Sequence, residues 1–83
     1  MYELELRNTI KVQRAIRNLT QAELGELAGV TRKSVNAIET GRMVPSVLLA
    51  LKLARVLGVS VDDLFNLAEG QEPAPAAPLK IYS

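Results

Sequence analysis

The chain has 83 residues and is 48% hydrophobic, 23% charged and only 4% aromatic, with a formal net charge of +1, which fits one small aliphatic domain with a short appendage and not a disordered chain. It has no cysteine and no histidine, so disulfides, thiolate nucleophiles, imidazole bases and the usual zinc ligands are excluded. The longest unbroken apolar run, Val47 to Leu51, is far short of the roughly 20 residues that span a bilayer, and the first residues lack signal-peptide order.

Residues 1–7 read as an N-terminal arm in which Tyr2, Leu4 and Leu6 alternate with Glu3 and Glu5, a weak strand pattern. Residues 8–66 break into five short helical segments. The first carries Val12, Ala15, Ile16 and Leu19 at the i, i+3, i+4, i+7 spacing of one apolar stripe. The second opens on Thr20-Gln21-Ala22-Glu23, a capping box in which the Thr20 hydroxyl and the Glu23 carboxylate satisfy backbone N–H groups. It places Leu24, Leu27 and Ala28 on one face and stops at Gly29, a residue that takes the left-handed conformation cheaply.

Thr31 offers the next N-cap, and Val35 with Ile38 gives the buried stripe of a third helix ending at Gly41. Ser46 caps a fourth, strongly apolar helix in which Val47, Leu48, Leu51, Leu53, Ala54, Val56 and Leu57 cover much of the circumference before Gly58. Ser60 opens a fifth, with Asp62 and Asp63 in its first turn, where acidic groups suit the helix dipole, and Leu64 and Phe65 placed to dock on the core. Residues 67–83 form a proline-rich tail, with Pro73, Pro75 and Pro78 ruling out helix. Within the tail, Leu79 and Ile81 flank Lys80, a second weak strand pattern. The two terminal segments either pair, in one chain or across a dimer, or remain frayed ends.

Charge is unevenly distributed. From Arg7 to Arg42 there are seven basic and three acidic residues, a local charge of +4. Charges that merely solvate helix faces account for that window more simply, so the motif must decide. Two short helices joined by a tight glycine turn, with a helix before and an apolar helix after, form the arrangement that places one helix in the major groove of DNA. The stretch from Leu19 to Arg42, LTQAELGELAGVTRKSVNAIETGR, resembles the helix-turn-helix of the Cro and phage-repressor proteins, the XRE family. The similarity continues through Pro45-Ser46, the LALKLAR run and VSVDDLF, covering 58 of the 83 residues. The resemblance implies an all-α, five-helix, lambda-repressor-like DNA-binding domain, to which short terminal β-strands are compatible additions.

A helical wheel of the third helix, with the core direction midway between Val35 and Ile38, puts Lys33, Asn36, Ala37 and Thr40 outward, Arg32 at the edge and Ser34 nearer the turn. A cation can contact guanine O6 and N7, and asparagine can read adenine N6 and N7. Arg32, Lys33, Asn36 and Ala37 are therefore the expected base-reading set. The resemblance places Arg32 and Lys33 at the family's base-reading helix start. It puts Ala37 where a longer polar chain is common, so only a methyl contact is expected there. It also assigns Gln21 to a backbone phosphate, a role extended to Thr31, Ser34, Thr40 and Arg42. Arg14 and Glu39 match a pair that links helix one to the end of the recognition helix in related repressors.

Gly25 stands inside a helix, where glycine costs about 1 kcal/mol against alanine. The matching family position is a small residue at the closest approach of the motif helices, so alanine is expected to be tolerated and valine not. Two features depart from the family. Gln13 occupies a position commonly apolar, and Val12 with Ile16 stand where charges are common. Helix one therefore either rotates or presents its stripe to the tail or to a second subunit, and a homodimer built with Tyr2 to Leu6 and Leu79 to Tyr82 is one such arrangement.

The expected function is a cytoplasmic, sequence-specific regulator of transcription, most simply a repressor, binding double-stranded DNA as a homodimer. No cofactor, metal, membrane contact or catalytic residue is expected. The alternative is an antitoxin-like module of the same fold that binds a protein partner through the C-terminal tail and also binds its own operator.

Overall fold

The computed structural model describes residues 4–69. The elements run β1 (Leu4–Asn8), α1 (Ile10–Ile16), α2 (Gln21–Ala28), α3 (Arg32–Glu39), α4 (Val47–Leu57), α5 (Val61–Leu64) and β2 (Phe65–Glu69). Five helices surround one core in which Ile10, Leu24, Val35, Ile38, Leu53, Leu57 and Leu64 are fully buried. Local chemistry starts four of the helices. Thr20, Thr31, Ser46 and Ser60 each sit in extended backbone and accept the N–H three residues ahead through the side chain, the preferred N-cap geometry. α2 ends at Gly29, whose φ of 79° lets the Val30 N–H reach back to the Gly25 carbonyl at 2.8 Å.

α1 begins differently. Its N-cap, Thr9, makes no side-chain cap bond. Asn8 supplies it from one residue earlier, its Oδ1 accepting from the Ile10 N–H at 3.1 Å while its Nδ2 donates to the Ile38 carbonyl at 3.1 Å. Asn8 thereby ties the start of α1 to the end of α3, a clasp that no local sequence pattern announces.

The two strands form a pairing that the sequence did not offer. Leu79 to Tyr82, the segment offered as a partner for the N-terminal strand, lies outside the described residues, as does Tyr2. The observed partner is Phe65–Glu69, antiparallel, with Leu6 opposite Leu67 and Asn8 opposite Phe65. The cause lies in α5, a four-residue turn. The Thr9 N–H donates to the Leu64 carbonyl at 2.9 Å and the Thr9 hydroxyl to the Asp63 carbonyl at 2.8 Å. Those bonds deliver Phe65 beside Asn8, so the chain leaving α5 enters the ladder at once. Paired residues share a face of the ribbon. Phe65 is buried in the core, while Leu6, Leu67 and Leu4 carry the same face outward into exposure.

The apolar surface of α4 divides sharply. Leu53, Ala54 and Leu57 are buried, whereas Val47, Leu48 and Leu51 are 77%, 63% and 52% exposed. On α1 the core contact is Ile10, while Val12 and Ile16 stay in solvent and Leu19, beyond the helix end, packs against the core. The helix has not rotated to bury its stripe. Gln13 occupies the half-buried flank instead, its Oε1 accepting from Arg17 Nη1 at 3.1 Å.

One correction concerns Gly25. A Cβ built there would lie 2.7 Å from the Val30 carbonyl oxygen and 3.2 Å from the Thr31 carbonyl carbon. Alanine is therefore not accommodated without movement, because both neighbours are backbone of the turn joining α2 to α3.

Candidate nucleic-acid interface

The candidate surface is built from the start of α2, the whole of α3 and the residues that follow it. The capping box fixes the first turn of α2. Glu23 N–H donates to Thr20 Oγ1 at 3.0 Å and Thr20 N–H to Glu23 Oε1 at 2.8 Å. Gln21 and Ala22, the first two helical residues, have no intrahelical carbonyl for their N–H groups. These donors sit at the positive end of the helix dipole.

α3 follows after a three-residue turn, Gly29 to Thr31. Val35 and Ile38 fix its roll by complete burial, and Arg32, Lys33, Thr40 and Arg42 are exposed, with Ser34, Asn36 and Ala37 half-buried. Neither Arg32 nor Lys33 has a side-chain hydrogen-bond partner among the described residues. Arg32 borders two shallow concavities, one lined by the α1–α2 turn and the start of α2, the other by Thr31, Lys33 and Asn36. The candidate residues of both motif helices thus share one continuous surface.

The hydroxyls are already ordered. Thr31 Oγ1 accepts from the Ser34 N–H and donates to Ser34 Oγ, both at 3.1 Å, which leaves the Ser34 proton directed elsewhere. Thr40 Oγ1 donates to the Asn36 carbonyl at 2.9 Å and accepts from Arg42 Nε at 3.3 Å. Within this set of hydroxyls, Ser34 Oγ and the terminal nitrogens of Arg42 donate to nothing among the described residues, and Thr31 and Thr40 position them.

Beneath the surface runs a polar chain. Arg14 grips Glu39 at two points, Nε to Oε2 at 2.6 Å and Nη2 to Oε1 at 3.2 Å, and its Nη1 donates to the Leu19 carbonyl at 2.9 Å. The Arg14 and Glu39 side chains are 14% and 6% exposed. Gln21 Nε2 then donates to Glu39 Oε1 at 3.0 Å and to Asn36 Oδ1 at 3.1 Å. Every buried side-chain polar atom among the described residues has a partner. Two consequences follow. Glu39 is neutralised from below, so the outer face of α3 carries the positive charge of Arg32, Lys33 and Arg42 without a competing carboxylate. Both amide protons of Gln21 are engaged inside the protein, so the donor it can offer a phosphate is its main-chain N–H.

Sequence reasoning did not anticipate the link from Gln21 to Asn36, or the part taken by Asn8 and the Leu19 carbonyl. The link joins residues 15 apart, and no local spacing rule brings them together. The proline-rich tail, to which the sequence assigns a protein partner, lies from residue 70 onward outside the described residues. No described helix is long and apolar enough to cross a membrane.

Comparison with known proteins places this geometry. The family model described as Helix-turn-helix matches residues 10–64. An uncharacterised HTH-type transcriptional regulator of Methanocaldococcus jannaschii is 43% identical over 60 residues, 72% of this chain and 91% of that protein. YgzD of Bacillus subtilis, also an uncharacterised HTH-type transcriptional regulator, is 45% identical over 64 residues, 77% of this chain and 97% of its own. Among solved structures, the P22 c2 repressor in complex with a synthetic operator is similar with a TM-score of 0.62 and 28% identity, covering 64% of this chain and 80% of the repressor. The restriction-modification controller protein C.AhdI of Aeromonas hydrophila gives 0.63 and 30%, covering 65% and 82%.

Proposed function

The chain belongs to the XRE-type helix-turn-helix family and is a DNA-binding transcriptional regulator, and from that premise we propose that it is a sequence-specific repressor seating α3 in the major groove of double-stranded DNA. The observation that carries this reading is the division of α3 into a fully buried stripe, Val35 and Ile38, and an opposite face presenting Arg32 and Lys33, which have no side-chain hydrogen bond among the described residues. Arg32 and Lys33 reach base edges, Asn36 reads beside them, and Ala37 offers a methyl contact. The main-chain N–H of Gln21, the Ser34 hydroxyl and Arg42 hold phosphates and set register, with Thr31 and Thr40 ordering them. We assign no bond-making step to the chain. Asp62 and Asp63 are exposed in the first turn of α5, where their helix-dipole role suffices.

Selection from a random pool of duplexes at near-physiological salt, followed by anisotropy titration of the winner, tests the reading. Lys33→Ala is expected to lose about 1–3 kcal/mol of discrimination at particular base pairs. A loss spread evenly over all sequences, with a reduced salt slope, would instead make Lys33 a phosphate contact.

We further propose a homodimer, whose two recognition helices would meet half-sites roughly 34 Å apart. The face that fits a second copy is Val44, Val47, Leu48 and Leu51, each more than half exposed. All four lie in the short stretch from Val44 to Leu51 at the start of α4, and grouped exposed apolar side chains suit an interaction site better than scattered ones. No charged residue lies between Arg42 and Lys52. A two-fold contact sets the same patch against itself, so an uncharged patch is self-complementary. The exposed Val12 and Ile16, by contrast, are flanked by Lys11 and Arg17, which a two-fold axis would bring toward their own copies. The α4 face also follows directly from the end of α3, so dimerisation there fixes the spacing of the reading helices. Leu48→Glu should convert a dimer to a monomer by light scattering and abolish cooperative binding to a palindrome. A wild-type chain that stays monomeric at high concentration overturns the dimer.

A further inference from the structure

We propose that the free edge of β1 is a self-docking surface: β1 of a second copy adds to it antiparallel, centred on Leu6, and joins the two ribbons into one four-stranded sheet. The contact is separate from the α4 face and goes beyond the proposed function, since it does not depend on DNA. Among the described residues the sheet has two strands, β1 beside β2, so the other side of β1 carries unpaired main-chain groups. Which groups these are follows from the ladder. Thr9 stands one step beyond the pairing of Asn8 with Phe65, and its N–H donates to the Leu64 carbonyl at 2.9 Å. Bonding alternates along an antiparallel strand, so Arg7 and Glu5 also turn their main chain to β2, while Leu4, Leu6 and Asn8 turn theirs to the free side. Such an edge is a template for another strand, and residues 4–8 have neither a proline nor a bulge to spoil it.

Charge selects the occupant. Glu5 and Arg7 flank Leu6 on the opposite face of the ribbon from the leucines. Both side chains are 57% exposed, and within one chain they meet only each other, Arg7 Nη2 donating to Glu5 Oε1 at 3.0 Å. A two-fold axis at Leu6 sets Glu5 opposite Arg7 of the second copy, and Arg7 opposite its Glu5, in the closely spaced positions of the ladder. Opposite charges stabilise such pairs and like charges destabilise them. Centring on Glu5 or on Arg7 sets a charge against its own copy, and a slip of one residue turns the second set of leucines to the polar face. The register centred on Leu6 avoids both. It also bonds Leu6 to Leu6 and Leu4 to Asn8 through the main chain, and gathers Leu4, Leu6 and Leu67 of both copies, exposed in the single chain, on one face. A five-residue edge buries far less than the roughly 1,200 Å2 of a stable interface. The contact is therefore weak between free chains and acts where copies are crowded or held side by side.

Sedimentation velocity and amide exchange on the full chain test the proposal. Raising the concentration should move the average mass of the wild type toward double its dilute value and slow exchange of the Leu6 amide, while the amides of Glu5 and Arg7, bonded to β2, stay unchanged. Glu5→Arg and Arg7→Glu should each weaken this association about tenfold. An equal mixture of the two variants should restore it, because one then presents only cations and the other only carboxylates across the edge. Restoration in the mixture separates a contact between copies from the ion pair within one strand, and circular dichroism shows that both variants are folded. A mixture that associates no better than its components overturns the inference. So does a Leu6 amide protected equally at every dilution, which assigns the edge to the chain's own tail. Failure of the α4 dimer changes only the dilute mass from which the doubling starts, so the two proposals fail separately.

Discussion

Replacing Glu39 with alanine is expected to destabilise the domain by about 3–5 kcal/mol, the cost of leaving one member of a buried ion pair without its partner. The expectation follows from the number of groups the carboxylate holds. Its two oxygens take Arg14 Nε, Arg14 Nη2 and Gln21 Nε2, and the side chain is 6% exposed. Without it, Arg14 keeps one bond, to the Leu19 carbonyl, and a guanidinium that is only 14% exposed must drag water in or swing out. Native domains have about 0.05–0.15 kcal/mol of stability per residue, so a chain this small has little margin, and the single variant should be substantially unfolded at moderate urea.

Arg14→Met combined with Glu39→Met should lose less than either single change would suggest, because no charge is then stranded. Urea midpoints for the four members of the cycle give the coupling directly. Single variants that each cost under about 1 kcal/mol and add without coupling would show that the pair behaves as two surface charges. The arrangement also has a directional logic. α1 makes its core contact through Ile10 at its first residue, so the Arg14 bridge is what fastens the other end of that helix to the end of α3.

The parts of this fold that a reader of the sequence can recover are those set within four residues. Thr20 with Glu23, and Thr31, Ser46 and Ser60 at the following helix starts, act on N–H groups three positions ahead, so their side chains and targets are visible in one short window. The roll of α3 is legible for a related reason, since Val35 and Ile38 are the large apolar residues of a polar helix and leave one direction for the core. α4 is the opposite case. Val47, Leu48 and Leu51 are as apolar as Leu53, Ala54 and Leu57, yet one set is exposed and the other buried, and composition alone cannot separate them. The ribbon was illegible because its register is set by Thr9 meeting Asp63 and Leu64, contacts about 55 residues apart in sequence, while Leu67 looks like the start of a linker. At the site, the chemical types on α3 could be read off, but the polar chain beneath them could not. An asparagine's amide orientation depends on a glutamine 15 residues earlier, and that dependence exists only once α2 and α3 have packed.

The close approach of α2 to the turn that leads into α3 makes Gly25 a sterically restricted position. Gly25→Val is expected to cost about 3 kcal/mol or more, the upper range for forcing carbon into a packed interior, and to lower the melting temperature by roughly 15 °C or more. The added Cβ alone would meet the Val30 carbonyl oxygen at 2.7 Å, and the Thr31 carbonyl carbon and oxygen at 3.2 and 3.3 Å. None of these is the tip of a flexible side chain. Val30 is held by its own N–H bond to the Gly25 carbonyl at 2.8 Å, and Thr31 is the N-cap of α3, so relief requires the whole turn to move. Alanine meets the same oxygen but brings no branching methyls. It regains about 1 kcal/mol of helix propensity, so a net loss of about 1 kcal/mol is expected for it. Because the displaced residue caps α3, the helix proposed to read DNA, valine should also reduce operator affinity at temperatures where the variant is still folded, beyond what its unfolded fraction explains. A valine variant that melts with the wild type would mean that the turn is pliant and that the spacing of the two motif helices is set elsewhere.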